Sequence, residues 1–317
     1  MNGMQTRTIN QVLTKKIDKW LESIDDEGLR KKCQKDVIVT GGSIASMLLG
    51  EDVNDYDVYF RTYETTKAVA EYYLAKFKAG RVVKQGGVSY DMSLQELKDT
   101  LGRDRIRIVV KSAGVAGEEQ SKDYQYFEST TGHTEEAGEY LDEAYQNMQA
   151  EGHVDEEAQK EKPDYHPVFL SSNAITLKDE VQVIIRFFGG PEVIHENFDF
   201  VHCTNYWTYK EGVVVNQEAL LALMSRTLVY RGSLYPVCSI FRSKKFIQRG
   251  WKINAGQYLK MVMQINELDL NNPVILEEQL TGVDVAYFQE VITKAKEKDK
   301  DHIDTAYLME IVERMFG

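Results

Sequence analysis

The chain has 317 residues, of which 43% are hydrophobic, and its formal net charge is -12. This length is enough for a sizeable core, in one enlarged domain or two. There is no apolar run of about 18 residues and no apolar signal-peptide region, so we expect neither membrane insertion nor export. Cys33, Cys203 and Cys238 lack CxxC spacing, which argues against a disulfide framework or a zinc site and favours a reducing cytoplasm.

Charge is distributed unevenly along the sequence. Residues 219 to 266 contain eight basic residues and no Asp or Glu, whereas residues 117 to 165 contain fifteen acidic residues and three lysines. Because cationic side chains bind phosphates by releasing condensed counterions, the basic segment 219 to 266 is expected to meet polyanions. The acidic stretch is poor in aliphatic residues, and we predict an exposed loop or a short helical insertion at about 113 to 165.

The first part of the chain mixes helical and strand periodicity. In chain order the pattern predicts a helix at 8–32, a strand at 37–39, a helix from residue 44, a strand at 57–60, a helix at 65–78 and a strand at 105–111.

After the acidic segment, short strands give way to helices. The pattern predicts strands at 168–170, 181–187 and 198–203, one or two helical turns at 191–196, and helices at 218–230, 236–249, 256–268, 273–280, 284–298 and 303–315. The predicted fold is therefore α+β. A head with a small mixed sheet flanked by helices occupies residues 1–216, and an all-helical domain occupies residues 217–317.

The most informative segment runs from Val37 to Phe60 and joins a glycine turn to two aspartates. Gly41 and Gly42 allow backbone amides to approach an anion closely, and Ser43 adds a hydroxyl at the positive end of a helix. Asp55 and Asp57 lie two apart at the start of a strand, so both carboxylates are expected on one face. This combination is typical of a site that binds Mg²⁺ and a nucleoside triphosphate.

A third carboxylate is expected beside this pair. Asp199 lies between two phenylalanines in a predicted strand, which would bury one face and leave the aspartate on the other. If that strand neighbours the Asp57 strand, Asp199 would serve as a general base or as a third ligand for two Mg²⁺ ions.

The segment resembles the head domain of polymerase-β-type nucleotidyltransferases, and within them that of CCA-adding enzymes and poly(A) polymerases. The matching residues are Gly41, Gly42, Leu48, Leu49, Gly50, Asp55 and Asp57, and Ser172-Asn173-Ala174 is similar to a further motif of bacterial CCA-adding enzymes. The chain departs from that pattern at Ala45-Ser46, where the family has Arg-Asp. It also lacks the arginine-rich motif and a Glu-Asp-x-x-Arg motif, which puts CCA-type base selection in doubt.

Within the basic segment, Arg242, Lys245 and Arg249 follow helical spacing and are predicted to share one helix face. We expect that face to bind the triphosphate or an RNA backbone. His202 and Cys203 are adjacent on a predicted strand and would point to opposite faces, so we assign both to structure.

The resemblance implies transfer of a nucleoside monophosphate from an NTP to a hydroxyl, with release of pyrophosphate. The basic segment favours an RNA 3′ end, such as that of tRNA, as the acceptor. Two alternatives stay open. The acceptor could instead be a small molecule, a nucleotide or a protein hydroxyl, or the chain could be an inactive head that serves as a binding module.

Overall fold

A computed structural model describes residues 3–80, 89–98, 102–113, 165–170 and 173–270, together with positions 272, 275 and 279. Most of the acidic insertion and the helices predicted at 284–298 and 303–315 lie outside the described residues, as does most of the helix predicted at 273–280. The chain divides into two compact units. The first comprises Met1–Ile194 and Asn205–Val215, and the second comprises His195–Thr204 and Asn216–Gly317.

The first unit begins with two helices where the sequence pattern predicted one. Helix α1 spans Thr6–Glu22 and helix α2 spans Glu27–Asp36. The prediction of a single helix is wrong because Asp26 caps a new helix: its side chain accepts a hydrogen bond from the Leu29 amide at 2.9 Å. Two short elements follow, strand β1 (Val37–Thr40) and helix α3 (Gly42–Leu49), both as predicted.

Strand β2 (Tyr56–Phe60) and helix α4 (Tyr63–Gly80) complete the core of this unit. The hydroxyls of Thr62 and Thr65 each donate a hydrogen bond of 2.6 Å to Asp36 Oδ2, which fixes the start of α4 against the end of α2. Both elements confirm the predicted order of strand, helix, strand and helix.

The remaining strands of the first unit are only partly those predicted. They are β3 (Ser89–Lys98), β4 (Asp104–Ala113), β5 (Pro167–Leu170), β6 (Ala174–Leu177), β7 (Val181–Ile184), β8 (Tyr206–Thr208) and β9 (Gly212–Val214), and a short helix α5 spans Pro191–His195. Strands β3, β6, β8 and β9 were not predicted, and β7 ends three residues earlier than expected.

Seven of these strands form one mixed sheet in the order β5-β6-β7-β2-β1-β8-β9, while β3 and β4 form a separate antiparallel hairpin. Strand β2 pairs antiparallel with β1 and parallel with β7. The two strands that lie next to Asp57 are therefore β1 and β7.

Alternation along the strands gives the large sheet two different faces. One face packs into the main core with α1, α2, α3 and α4, through strand residues such as Val58, Val183 and Ile175. The opposite face carries Asp57 on β2, Gln182 on β7 and other intervening residues. Asp57 and Gln182 are both only half-buried.

The second unit is helical in the part that the structure describes. It contains helix α6 (Gln217–Ser225), helix α7 (Pro236–Gln248), helix α8 (Ala255–Ile265) and a 3₁₀ turn at Val201–Cys203. Helices α7 and α8 agree with prediction, and α6 ends five residues early. Taken together, the mixed sheet with its helices and the helical second unit confirm the predicted α+β class. None of the helices in the described part of the chain is long and apolar enough to cross a membrane.

Candidate active site on the sheet of the first unit

The glycine turn between β1 and α3 brings the backbone directly against the Asp57 carboxylate. Gly41 has φ +103° and ψ -148°, a conformation that is essentially restricted to glycine. A Cβ built on Gly41 would lie 2.6 Å from Asp57 Oδ2. Glycine is therefore required at position 41 both by the backbone angles and by the close approach of Asp57. The glycine turn and the aspartate pair of the predicted motif are thus in contact at this residue.

The first turn of α3 carries a buried hydroxyl without a hydrogen-bond partner among the described residues, next to the glycine turn. Ser43 is 2% exposed, and its hydroxyl has no hydrogen-bond partner among the described residues. A buried hydroxyl without a partner is unfavourable unless a ligand supplies one. Beside it, a Cβ built on Gly42 would meet no atom within 4 Å, so the backbone there faces open space.

Asp55 and Asp57 lie at the start of β2, as the sequence pattern predicted. Asp57 is the second residue of the strand, and Asp55 directly precedes it and is half-buried. The position is fixed by the neighbouring strand, because the Tyr56 amide donates a 2.7 Å hydrogen bond to the Glu180 carbonyl. This corner of the first unit thus combines two carboxylates, a glycine turn and a helix amino terminus.

Asp199 lies in the second unit, and the strand predicted for it is wrong. Its neighbours Val201–Cys203 form a 3₁₀ turn, and the amides of Val201 and Arg231 bond to the carbonyls of Val229 and Asp199 respectively, at 3.0 Å each. No strand at 198–203 therefore joins the sheet beside β2. The Asp199 side chain is 4% exposed and accepts a 2.5 Å hydrogen bond from Arg242 Nη1 on α7.

Arg242 is thus engaged by a carboxylate, and its nucleotide-binding role stays a prediction, as do those of Lys245 and Arg249. Lys245 is half-buried and Arg249, which follows the end of α7, is exposed. Across the described residues, no three His, Cys, Asp or Glu side chains form a group that could hold a metal ion. The carboxylate that lies against the glycine turn is that of Asp57, and Asp55 directly precedes the same strand.

His202 is a structural residue of the second unit, as the sequence suggested, although it lies in a turn and not in a strand. Its ring lies 4.2 Å from the Trp251 ring and 4.7 Å from the Phe246 ring, measured between centroids. Burial, with a smaller contribution from the Arg249 charge, lowers the pKa of His202 to about 3. His202 is therefore a neutral member of an aromatic cluster.

The structure reveals one polar row that sequence analysis missed. Gln182 pairs in register with Asp57, and Thr176 on β6 pairs in register with Gln182, so these three side chains lie side by side on the face opposite the core. The signal was present in Val181-Gln182-Val183, where one polar residue stands between two buried valines. That pattern matches Tyr56-Asp57-Val58 on the adjacent strand.

The first unit therefore contains the local arrangement that the sequence predicted: a glycine turn and a helix lie between two antiparallel strands, and Asp-x-Asp lies at the start of the second strand. The family follows from comparison with known proteins. The model of the Gabija anti-defense 2 (Gad2) family matches residues 11–226, and the chain belongs to this family.

A relative called Gabija anti-defense 2, from Bacillus phage SPbetaL7, is 22% identical over 116 residues, which are 36% of this chain and 29% of the relative. Two solved structures are also similar. The Thermotoga maritima CCA-adding enzyme complexed with tRNA_CCA has a TM-score of 0.36 and 14% identity, over 88% of this chain and 54% of that one. The Bacillus stearothermophilus CCA-adding enzyme in complex with CTP has a TM-score of 0.32 and 10% identity, over 80% and 47%. The chain spans about half of these enzymes and less than a third of the phage relative.

Proposed function

We propose that this Gad2-family protein is a metal-dependent nucleotidyltransferase that transfers a nucleoside monophosphate from an NTP to a hydroxyl and releases pyrophosphate. One observation carries the proposal: the Asp57 carboxylate lies against Gly41, at the start of a helix whose Ser43 hydroxyl is buried without a partner among the described residues. An anion-binding element and a cation-binding element therefore occupy the same corner of the first unit.

The triphosphate would bind at the amino terminus of α3. The amides of the first helical turn have no partner within the helix and carry partial positive charge, which suits phosphate oxygens. The Ser43 hydroxyl would donate a further hydrogen bond to the triphosphate. This would explain why the buried hydroxyl has no partner among the described residues. Open space at Gly42 lets a phosphate approach the backbone.

The carboxylates fit a Mg²⁺ ion. Asp55 and Asp57 would hold it together with oxygens of the triphosphate, since Mg²⁺ is commonly bound by one or two carboxylates plus substrate phosphates and water. When bound, the ion neutralises phosphate charge and favours in-line attack by the acceptor. The sequence also predicted Asp199 as a third ligand or general base, together with a second Mg²⁺. That role stays a prediction, and the pairing of the Asp199 carboxylate with Arg242 does not support it.

For the acceptor we favour an RNA 3′ end, such as that of tRNA. Between residues 219 and 266 the second unit carries no acidic side chain, and several of its basic side chains are exposed, including Lys244, Arg249, Lys252 and Lys260. Such a surface attracts a phosphate backbone. The reducing cytoplasm inferred from the cysteines is the compartment where NTP, Mg²⁺ and tRNA coexist.

A second candidate acceptor is a hydroxyl on a component of the bacterial defence named in the family's description. The observation that favours it is family membership, since the matched family is called Gabija anti-defense 2. In that case the basic segment would contact the defence component or only the incoming triphosphate.

One experiment tests the proposal and separates the acceptors. The full chain is incubated with each α-labelled NTP and Mg²⁺, with total RNA in one arm and a lysate of defence-expressing cells in the other, alongside Asp55→Ala/Asp57→Ala. We expect label in RNA only with the wild-type chain. Label in a protein band would support the second candidate, whereas no transfer in either arm, or equal transfer by the double variant, would refute the proposal.

A further inference from the structure

Strand β7, the parallel neighbour of the Asp57 strand, carries an amide where a further carboxylate would complete the site. The in-register pairs are Tyr56 with Val181, Asp57 with Gln182, and Val58 with Val183. Residues paired in this way project to the same face and lie about 5 Å apart. Gln182 is therefore the side chain that stands next to Asp57 on β7.

Burial on the two strands follows the same pattern, which supports this placement. Val181 and Val183 are fully buried in the main core together with Val58, whereas Asp57 and Gln182 are both half-buried. Thr176, in register with Gln182 on β6, is half-buried as well. The sheet thus presents one acidic residue followed by two neutral ones, in the order Asp57, Gln182 and Thr176.

The chemistry of an amide differs from that of a carboxylate in two ways that matter here. Gln182 is neutral at every accessible pH, so it can neither offset the charge of a second divalent ion nor take a proton from an attacking hydroxyl. It does offer two N–H donors and a carbonyl acceptor, which suit a phosphate or a ribose hydroxyl. Two Mg²⁺ ions about 3.5 to 4 Å apart repel each other strongly, and sites that hold such pairs rely on several carboxylates.

In the described part of the chain, no other acidic side chain supplies a third carboxylate beside Asp55 and Asp57. No group of three metal-ligating side chains is present there, and the Asp199 carboxylate is engaged by Arg242 in the second unit. A second observation marks the corner as a ligand site, namely the buried Ser43 hydroxyl, which lacks a partner within the described residues and lies two residues from the glycine that contacts Asp57.

We propose that this site binds a single divalent cation, held by Asp55 and Asp57 together with the triphosphate, and that Gln182 takes the third position as a positioning residue for the substrate. The inference rests on the proposed nucleotide site. It departs from an arrangement of two ions and three carboxylates, and it implies that the acceptor hydroxyl is not activated by a carboxylate on β7.

The test is electron paramagnetic resonance of Mn²⁺ added to the full chain with a non-hydrolysable α,β-methylene NTP. Two Mn²⁺ ions within about 4 Å of each other give a spin-coupled spectrum, which differs from that of an isolated ion. We expect the wild-type chain to give a protein-bound isolated-ion spectrum, Asp57→Asn to give only the spectrum of Mn²⁺ with free nucleotide, and Gln182→Asp to give the coupled spectrum. Gln182→Ala adds no charge and should also give an isolated-ion spectrum, but it should need more nucleotide to do so than the wild-type chain, because the amide that positions the substrate is lost.

The outcomes separate this inference from the proposed function. A wild-type spectrum identical to that of Mn²⁺ with nucleotide alone would refute the metal-nucleotide site itself. A coupled pair in the wild-type chain would overturn the single-ion inference and leave the proposed function standing. An isolated ion in both Gln182→Asp and Gln182→Glu, with thermal unfolding showing both folded, would overturn the assignment of Gln182. If neither variant folds, the wild-type spectrum decides between one ion and two.

Discussion

Two adjacent glycines at the start of α3 should respond in opposite ways to the same substitution. Gly41→Ala forces alanine into a backbone conformation that is essentially restricted to glycine, at a cost of about 1 to 3 kcal/mol. It also places a methyl group 2.6 Å from Asp57 Oδ2, so the carboxylate must move. Gly42→Ala places its methyl group where no atom lies within 4 Å, inside a helix, and should change stability by no more than about 1 kcal/mol, in the stabilising direction.

Nucleotide binding should not follow stability in this pair. In the proposed site the open space at Gly42 is where a phosphate approaches the backbone, so Gly42→Ala should weaken Mg²⁺-dependent NTP binding at least about tenfold, a loss of about 1.4 kcal/mol. Urea denaturation gives the stability of both variants, and isothermal titration with NTP, in Mg²⁺ and in EDTA, gives the affinity. A stable Gly42→Ala chain that binds NTP like the wild type would refute the phosphate assignment, and an unperturbed Gly41→Ala chain would refute the geometry of the turn.

Three further predictions concern the second unit. In a double-mutant cycle on the free energy of unfolding, Asp199→Ala and Arg242→Ala should show a coupling energy of about 1 to 2 kcal/mol, because Asp199 is buried and Arg242 is partly exposed. Additive effects of the two substitutions would contradict the ion pair. His202 stays neutral in the folded chain down to about pH 3, whereas the unfolded chain takes up a proton below about pH 6.5, so its contribution to stability is constant above pH 6.5 and falls as pH drops. Between pH 7.5 and pH 5, the free energy of unfolding should therefore fall by about 1 to 2 kcal/mol more in the wild-type chain than in His202→Phe, as measured by urea denaturation at both pH values. An equal fall in the two chains would contradict the assignment of His202 as a buried neutral side chain. If RNA binds the basic segment, Lys245→Ala and Arg249→Ala should each lower the slope of log affinity against log salt by about one in filter binding, and unchanged slopes would place the RNA elsewhere.

The corner that carries the proposed chemistry was predictable because its signals are local. Between Val37 and Phe60 an apolar run, two glycines, a helical pattern and an alternating strand follow one another closely, and each element forms where its own residues favour it. The contact between Gly41 and Asp57 follows from pairing two strands that are joined by a short connection. Such pairing is the commonest outcome for consecutive strands.

The neighbours of Asp57 could not be predicted because they depend on pairing across long stretches of sequence. Phe198-Asp199-Phe200 alternates like a strand, yet the Asp199 carbonyl accepts a hydrogen bond from the Arg231 amide and Phe200 forms an isolated bridge with Tyr230. Strand β7 joins β2 from more than 120 positions away, which no local periodicity specifies. The predicted third carboxylate was therefore sought on a strand that does not form, while Gln182 was overlooked.

In the proposed site Asp55, Asp57 and the start of α3 together bind a divalent ion and a triphosphate. The most direct measurement is anomalous diffraction from crystals of the full chain grown with Mn²⁺ and a non-hydrolysable NTP. We expect one manganese peak within about 2.5 Å of oxygens from both aspartates, with phosphate density at the amides of Gly42 and Ser43. Triphosphate bound elsewhere, or no manganese at these carboxylates in nucleotide-bound crystals, would contradict it.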